Sequence, residues 1–244
     1  MHKTTQYLLV GLLLLSPGAW AEHPGVEPKA DQILKNMSNY LGGLKEFSLQ
    51  AETTIDQEIS GVQVESSSRA EAFVRRPDGI RFNRQGDNGR QSVYYDGKQL
   101  TAYNQEKGFY AQSAVPSNME SMFDFANDKL GMVFPLSDLL FKDSYSALTT
   151  DVESGFYVGE HSVQGTPCHH LAFRQSSGLE WQIWVEQGKA AWPRKFVIRH
   201  PDPSEAPRFQ AILSHWDAAP KIPSGLFTFQ VPSGALKIDF KGGK

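Results

Sequence analysis

The sequence predicts a mainly β protein, an antiparallel sheet or open barrel with one N-terminal helix and one helical insert in mid-chain. Three observations predict it. Segments in which apolar and polar residues alternate with period two recur about every 10–15 residues between positions 47 and 231. Tight-turn pairs separate them, and Asp96-Gly97 is a strong two-residue hairpin signal. Helical spacing of apolar residues is confined to two regions, near 31–44 and 117–141.

The chain begins with an export signal. Lys3 precedes the apolar run 7–15, then come the helix breakers Ser16, Pro17 and Gly18 and the triplet Ala19-Trp20-Ala21. Small residues at the first and third positions of that triplet fit a cleavage site. The apolar run is far short of the roughly 20 residues of a spanning helix. A signal peptide over 1–21, cleaved after Ala21, and a periplasmic location are therefore expected, with no stable membrane span. No cysteine lies near the cleavage site for lipid attachment, and the lone Cys168 has no partner for an internal disulfide, so the core must hold the fold. The net charge is −3, and no basic run is longer than the pair Arg75-Arg76, which argues against a nucleic-acid partner.

Residues 22–30 are polar with two prolines and read as a flexible leader to a single domain over 31–244. A helix follows, with Ile33, Leu34, Met37, Leu41 and Leu44 in one stripe and Gly42-Gly43 weakening its end. Strands are expected at 47–59, 68–76, 80–82, 92–95, 99–105 and 109–115, each tied to the next by a turn. Pro116 ends this meander. Ser117 or Asn118 caps a second helix bearing Met119, Met122, Phe123 and Ala126 on one face, Gly131 closes it, and a short helix at 136–141 follows Pro135. Strands resume at 156–163, 168–175, 179–186, 194–200, 208–216 and 227–231.

The alternation assigns faces. Leu179, Trp181, Ile183 and Val185 point one way; so do Phe196 with Ile198, and Phe209 with Ala211 and Leu213. A sheet of about ten strands with one apolar face must bury that face, and the helices are few. Either the sheet curls on itself or a cavity remains beneath the helices.

Catalytic constellations are absent from the pattern. His169 and His170 are neighbours on a strand and point to opposite faces, so they cannot share a metal, and Cys168 with His170 lacks a third ligand. There is no G-x-S-x-G elbow, phosphate-binding loop or dinucleotide fingerprint. Neither enzymatic activity nor a cofactor is expected. The insert carries more information, because Met119, Met122, Phe123, Met132, Phe134 and Leu139 concentrate flexible apolar side chains in about 20 residues. Such a segment is either a plug completing the core or a mobile lid over an apolar ligand.

The stretches 76–82 (RPDGIRF), 94–111 (YYDGKQLTAYNQEKGFYA), 179–188 (LEWQIWVEQG) and 227–235 (FTFQVPSGA) resemble the LolA/LolB superfamily of periplasmic lipoprotein carriers, which includes the RseB N-terminal domain, and within it a group of predicted periplasmic proteins. The resemblance implies a strongly curved antiparallel half-barrel with helices across its concave face and a cavity for acyl chains. It also implies an arginine that holds a lid closed, for which the sequence alone places no counterpart. The expectation is a carrier or sensor for an apolar, acyl-bearing ligand such as a lipid. The expected lining is Met37, Leu41, Met119, Met122, Phe123, Met132, Phe134, Leu139, Trp181, Ile183, Phe196 and Phe209. The alternative is a filled-core module that binds another envelope protein.

Overall fold

The computed structural model describes residues 25–87, 89–201 and 208–242. The expected signal peptide lies outside these residues. Among the described residues no helix is long and apolar enough to cross a membrane.

Helix α1 (Pro28–Gly42) precedes a first meander of β1 (Glu46–Ile59), β2 (Val62–Arg75), β3 (Gly79–Gly86), β4 (Gly89–Tyr95), β5 (Gln99–Asn104) and β6 (Phe109–Ala114). The insert follows: α2 (Met119–Leu130), a 3₁₀ turn (Ser137–Leu140) and α3 (Ser144–Leu148). A second meander comprises β7 (Val152–Val163), β8 (Thr166–Gln175), β9 (Glu180–Glu186), β10 (Pro193–Arg199) and β11 (Phe209–Asp217), and β12 (Leu236–Ile238) ends the chain's regular structure. These strands form one open sheet in the order β12-β6-β5-β4-β3-β2-β1-β11-β10-β9-β8-β7. All neighbours are antiparallel except β12 on β6.

This order dictates where the helices go. β6 and β7 lie at opposite flanks of the sheet, yet they are joined by the insert. The insert must therefore cross the full width of the sheet. It crosses the apolar face, because Met119, Met122, Phe123 and Ala126 of α2 are buried in the same cluster as Trp181, Ile183, Phe196 and Ala211 of the strands. α1 crosses the same face. Its residues Ala30, Leu34, Met37 and Leu41 are fully buried, at about 1.5–3 kcal/mol for each large side chain. The result is a mainly β half-barrel roofed by helices.

Local chemistry sets the helix ends. Pro28 opens α1, where its missing N–H costs nothing. Asn118 caps α2 by accepting from the Ser121 N–H at 2.8 Å, and Gly131 ends it in the left-handed region at φ 65°, where glycine carries no Cβ penalty. Asp143 caps α3 through the Ser146 N–H. α1 and α3 are joined by buried polar contacts. The Tyr145 hydroxyl donates to the Asp31 carboxylate, and the Ser38 hydroxyl accepts from the Tyr145 N–H at 2.8 Å.

Three features depart from the sequence pattern. The stretch expected to be leader is tied down from Val26, which bridges to Gly155 of β7, and α1 already begins at Pro28. β2 starts at Val62 rather than 68, because pairing with β1 continues through a solvated, serine-rich stretch whose apolar alternation is limited to Val62 and Val64. The strand expected at 227–231 is not one. Phe229 instead packs its ring against Tyr94, Tyr103 and Tyr110, at 5.1–5.4 Å between centroids, on the outer face of β4–β6. The aromatic alternation of 227–229 serves this packing, and the chain forms a strand only later, at β12.

Tyr145→Phe leaves the buried Asp31 carboxylate without this donor. The variant is expected to lose about 1–3 kcal/mol in urea unfolding, whereas Thr150→Ala, at an exposed site beside α3, stays within about 0.5 kcal/mol.

Candidate functional site

The twelve residues expected to line a ligand cavity converge. Met37 and Leu41 come from α1, Met119, Met122 and Phe123 from α2, and Leu139 from the 3₁₀ turn. Trp181 and Ile183 come from β9, Phe196 from β10 and Phe209 from β11. All ten are buried in one cluster, and Met132 and Phe134 pack against it partly buried. Phe123 contacts the rings of Phe134 and Phe141 at 5.1 and 6.0 Å. The interior is thus closed over by its own side chains. A cleft of about 520 Å³ is lined by Ser38, Asn39 and Gly42 of α1, Glu120 of α2, and Phe141, Lys142 and Asp143. None of the twelve lines that cleft.

The seam between α1 and the insert is held by Arg76, at the end of β2. Its Nη1 donates to the carbonyls of Leu41 and Leu44, both at 2.8 Å. Its Nε and Nη2 donate to Leu140 O at 3.1 and 2.8 Å, and Nη2 also to Phe141 O at 3.0 Å. The carbonyls that end α1 have no partner within the helix and carry the negative end of its dipole, so a planar cation with five donors suits them. Burial lowers the Arg76 pKa to about 10 against an opposing pull from Glu120, so the group stays cationic at neutral pH. Glu120 accepts from the Lys142 N–H at 3.1 Å, which ties α2 to the segment after the 3₁₀ turn within the insert.

Aromatic rings extend this end of the roof. Arg76 lies 4.9 Å from the Phe47 ring, Phe47 meets Trp216 at 6.0 Å, Trp216 stacks on Trp192 at 4.7 Å, and Trp192 meets Tyr40 of α1 edge-on at 4.7 Å. Arg76 and Trp216 are the residues at this seam that the sequence pattern missed. Arg76's partners lie 32–65 residues away along the chain, and only its place in the basic pair before Pro77 singled it out.

The Cys168 region sits on β8, away from the roof. Cys168 and His170 share the outer face and His169 the inner, as alternation required. His170 stacks on Trp184 at 3.9 Å, shares a 3.0 Å hydrogen bond with Gln182 through Nε2, and another between Nδ1 atoms with His161. Burial, with help from Glu186, pushes the Cys168 thiol up to about 11, which keeps it protonated and a poor nucleophile. Among the described residues no three His, Cys, Asp or Glu side chains are grouped to hold a metal.

An open sheet with one roofed apolar face defines a half-barrel. The chain belongs to the predicted periplasmic protein family DUF2092, whose profile matches residues 30–241, and it is a protein of the periplasm. Its fold is similar to that of an uncharacterized conserved protein from Thermus thermophilus, at 10% identity over 86% of this chain and 99% of that one, with a TM-score of 0.51. It is also similar to the lipoprotein LppX of Mycobacterium tuberculosis, at 12% identity over 81% and 100%, with a TM-score of 0.51. A LolA superfamily protein from Nitrosomonas europaea aligns at 10% identity over 82% and 97%, with a TM-score of 0.40. A search of curated protein sequences finds no match.

Arg76→Leu is expected to raise amide hydrogen exchange selectively at 136–142 and in the last turn of α1, and to lower stability by about 2–4 kcal/mol, with Arg76→Lys intermediate because an ammonium lacks the planar fork. His170 behaves differently. Burial lowers its pKa below the ordinary 6.5, so the fold holds it neutral and the unfolded chain binds the extra proton. Stability is therefore full above about pH 6.5 and falls as pH drops through the folded value. His170→Gln is expected to flatten the urea midpoint between about pH 7 and pH 5.

Proposed function

We propose that this protein is a periplasmic carrier or sensor that binds an apolar, acyl-bearing ligand between the sheet and its helical roof. The observation that carries the reading is the construction of the roof. It lies on a continuous apolar face, and Arg76 fastens its two segments through main-chain carbonyls at one end. Such a closure opens without breaking any strand pairing. The methionines at 37, 119 and 122 are fully buried on both sides of that interface and repack readily around a new apolar surface.

The energetics support a poised switch. An acyl chain of about 14 carbons gains roughly 10 kcal/mol on burial at about 0.8 kcal/mol per methylene. Opening loses the Arg76 contacts, worth about 1.5–3 kcal/mol each as bonds to a charged group and less than additive, because the guanidinium regains water. The Arg76 contacts together amount to about 2–4 kcal/mol, as for Arg76→Leu, so the ligand term exceeds them and the remainder offsets the apolar contacts that part between roof and sheet. The closed form then prevails when the protein is empty and the open form when ligand is present.

A second reading is favoured by the packing of the interior, where the expected lining residues fill the space themselves. In that reading the core stays shut and the protein binds an envelope protein through its surface.

Native mass spectrometry of the periplasmic protein, followed by organic extraction, separates the two. The carrier reading expects a discrete added mass of a fatty acid, phospholipid or lipopeptide, and uptake of added lipid by the stripped protein. A clean apo mass with no uptake would move the function to protein binding.

A further inference from the structure

The β1–β2 hairpin is longer than the sheet it belongs to. Its strands pair without interruption from Glu46↔Arg75 to Ile59↔Val62. β11 leaves β1 at Ile55, and β3 leaves β2 at Ser68. Residues 57–66 therefore project as a two-stranded ribbon with no flanking strand among the described residues, roughly 15 Å long at about 3.3 Å per residue.

The ribbon has two unlike faces. Ile59, Val62 and Val64 lie on one and are 54%, 60% and 38% exposed. Asp56, Glu58, Gln63 and Glu65 lie on the other, with Asp56 directly across from Glu65. Like charges directly opposed on neighbouring strands destabilise a ribbon. Among the described residues, no ion pair relieves them. Positions 46–68 contain no lysine or arginine, Arg69 is engaged with Glu52, and Arg208 is turned to Gln210. None of the three carboxylates forms an ion pair with a described residue.

The edge of β2 is open as well. Asp87 closes it at Ser67, where its carboxylate accepts the Ser67 N–H at 2.8 Å and its own N–H donates to the Ser67 carbonyl at 3.2 Å. By the two-residue alternation, Glu65 and Gln63 present the next N–H and C=O groups to solvent on that edge. Beside the base of the ribbon, a polar cleft of about 820 Å³ runs along β1–β4, with Ser67, Glu71, Asn83 and Gln85 in its lining.

We propose that the free edge of β2 takes up an extended cationic strand of another polypeptide, in which apolar residues alternate with lysine or arginine. The strand's main chain pairs with Gln63 and Glu65, its apolar side chains cover Val62 and Val64, and its cations neutralise Glu58, Glu65 and Asp56. Strand addition of this kind takes affinity from the main chain and specificity from alternate side chains. Charge decides between occupants. An anionic membrane surface is repelled by the three carboxylates, and a second copy would set the same carboxylates against each other. The inference is independent of what the interior binds.

The test uses the exported chain, ¹⁵N-labelled, titrated with the peptide acetyl-Val-Lys-Val-Lys-Val-Lys-Val-amide and with its glutamate counterpart. Amide shifts confined to residues 57–67, with at least tenfold weaker binding of the glutamate peptide, are expected. The double variant Glu58→Lys/Glu65→Lys is expected to lose tenfold or more in affinity for the lysine peptide, and Val62→Ser/Val64→Ser to weaken it while leaving the circular dichroism spectrum unchanged. Shifts elsewhere, equal binding of both peptides, binding of phosphatidylglycerol vesicles through residues 57–67, or a self-association that either double variant abolishes would overturn the proposal.

Discussion

The Arg76 guanidinium is the contact on which the joining of α1 to the insert depends. The two meanders meet at β1 and β11 in the middle of the sheet, which leaves β6 and β7 at opposite flanks and obliges the insert to bridge them. A bridge of that length needs an anchor where it meets α1. Four carbonyls converge there, those of Leu41 and Leu44 at the end of α1 and just past it and those of Leu140 and Phe141 at the end of the 3₁₀ turn, and a neutral side chain could not donate to all of them. A planar cation satisfies all four at once, at 2.8–3.1 Å. The cost is partial desolvation of that cation, visible in its lowered pKa, and Glu120 offsets part of it.

This arrangement places rigidity and mobility in different parts of the molecule. The strands are cross-linked by ladders from flank to flank, and the Phe173–Trp181–Phe196 stack, at 4.1 and 5.7 Å, ties β8, β9 and β10 on the inner face. The roof rests on side-chain packing, on the Asp31–Tyr145–Ser38 contacts and on Arg76. Segments held in this way are the ones that open at low free energy while the sheet persists. The outer face has its own cover, because Phe227 lies over Arg75 and Phe229 over three tyrosines, so displacement of the roof need not disturb it.

Much of this was legible in the sequence, and the reasons for the rest are physical. Period-two alternation placed Trp181, Ile183, Val185, Phe209, Ala211 and Leu213 on the buried face, because one solvated face forces that pattern. Helical spacing placed Met37, Leu41, Met119 and Met122 for the same reason. α3 escaped notice since five residues complete barely more than one turn and show no period. Residues 62–67 escaped notice because a ribbon solvated on both sides has no buried face to mark it. Phe227 and Phe229 alternate as a strand would, yet they answer to ring packing across the outer face. Arg76 and the Asp31–Tyr145 pair act over separations of up to 65 and of 114 residues, and local pattern carries no record of such distances.

The central claim is that the helical roof separates to admit a ligand. The direct measurement is the distance between nitroxide labels at Asn36 on α1 and Asp128 on α2, both exposed, in a Cys168→Ser background, recorded by pulsed dipolar spectroscopy with and without a lysophospholipid. The account predicts a single short distance in the empty protein and a longer one when native mass spectrometry shows the lipid bound. An unchanged distance in the lipid-loaded protein would contradict it.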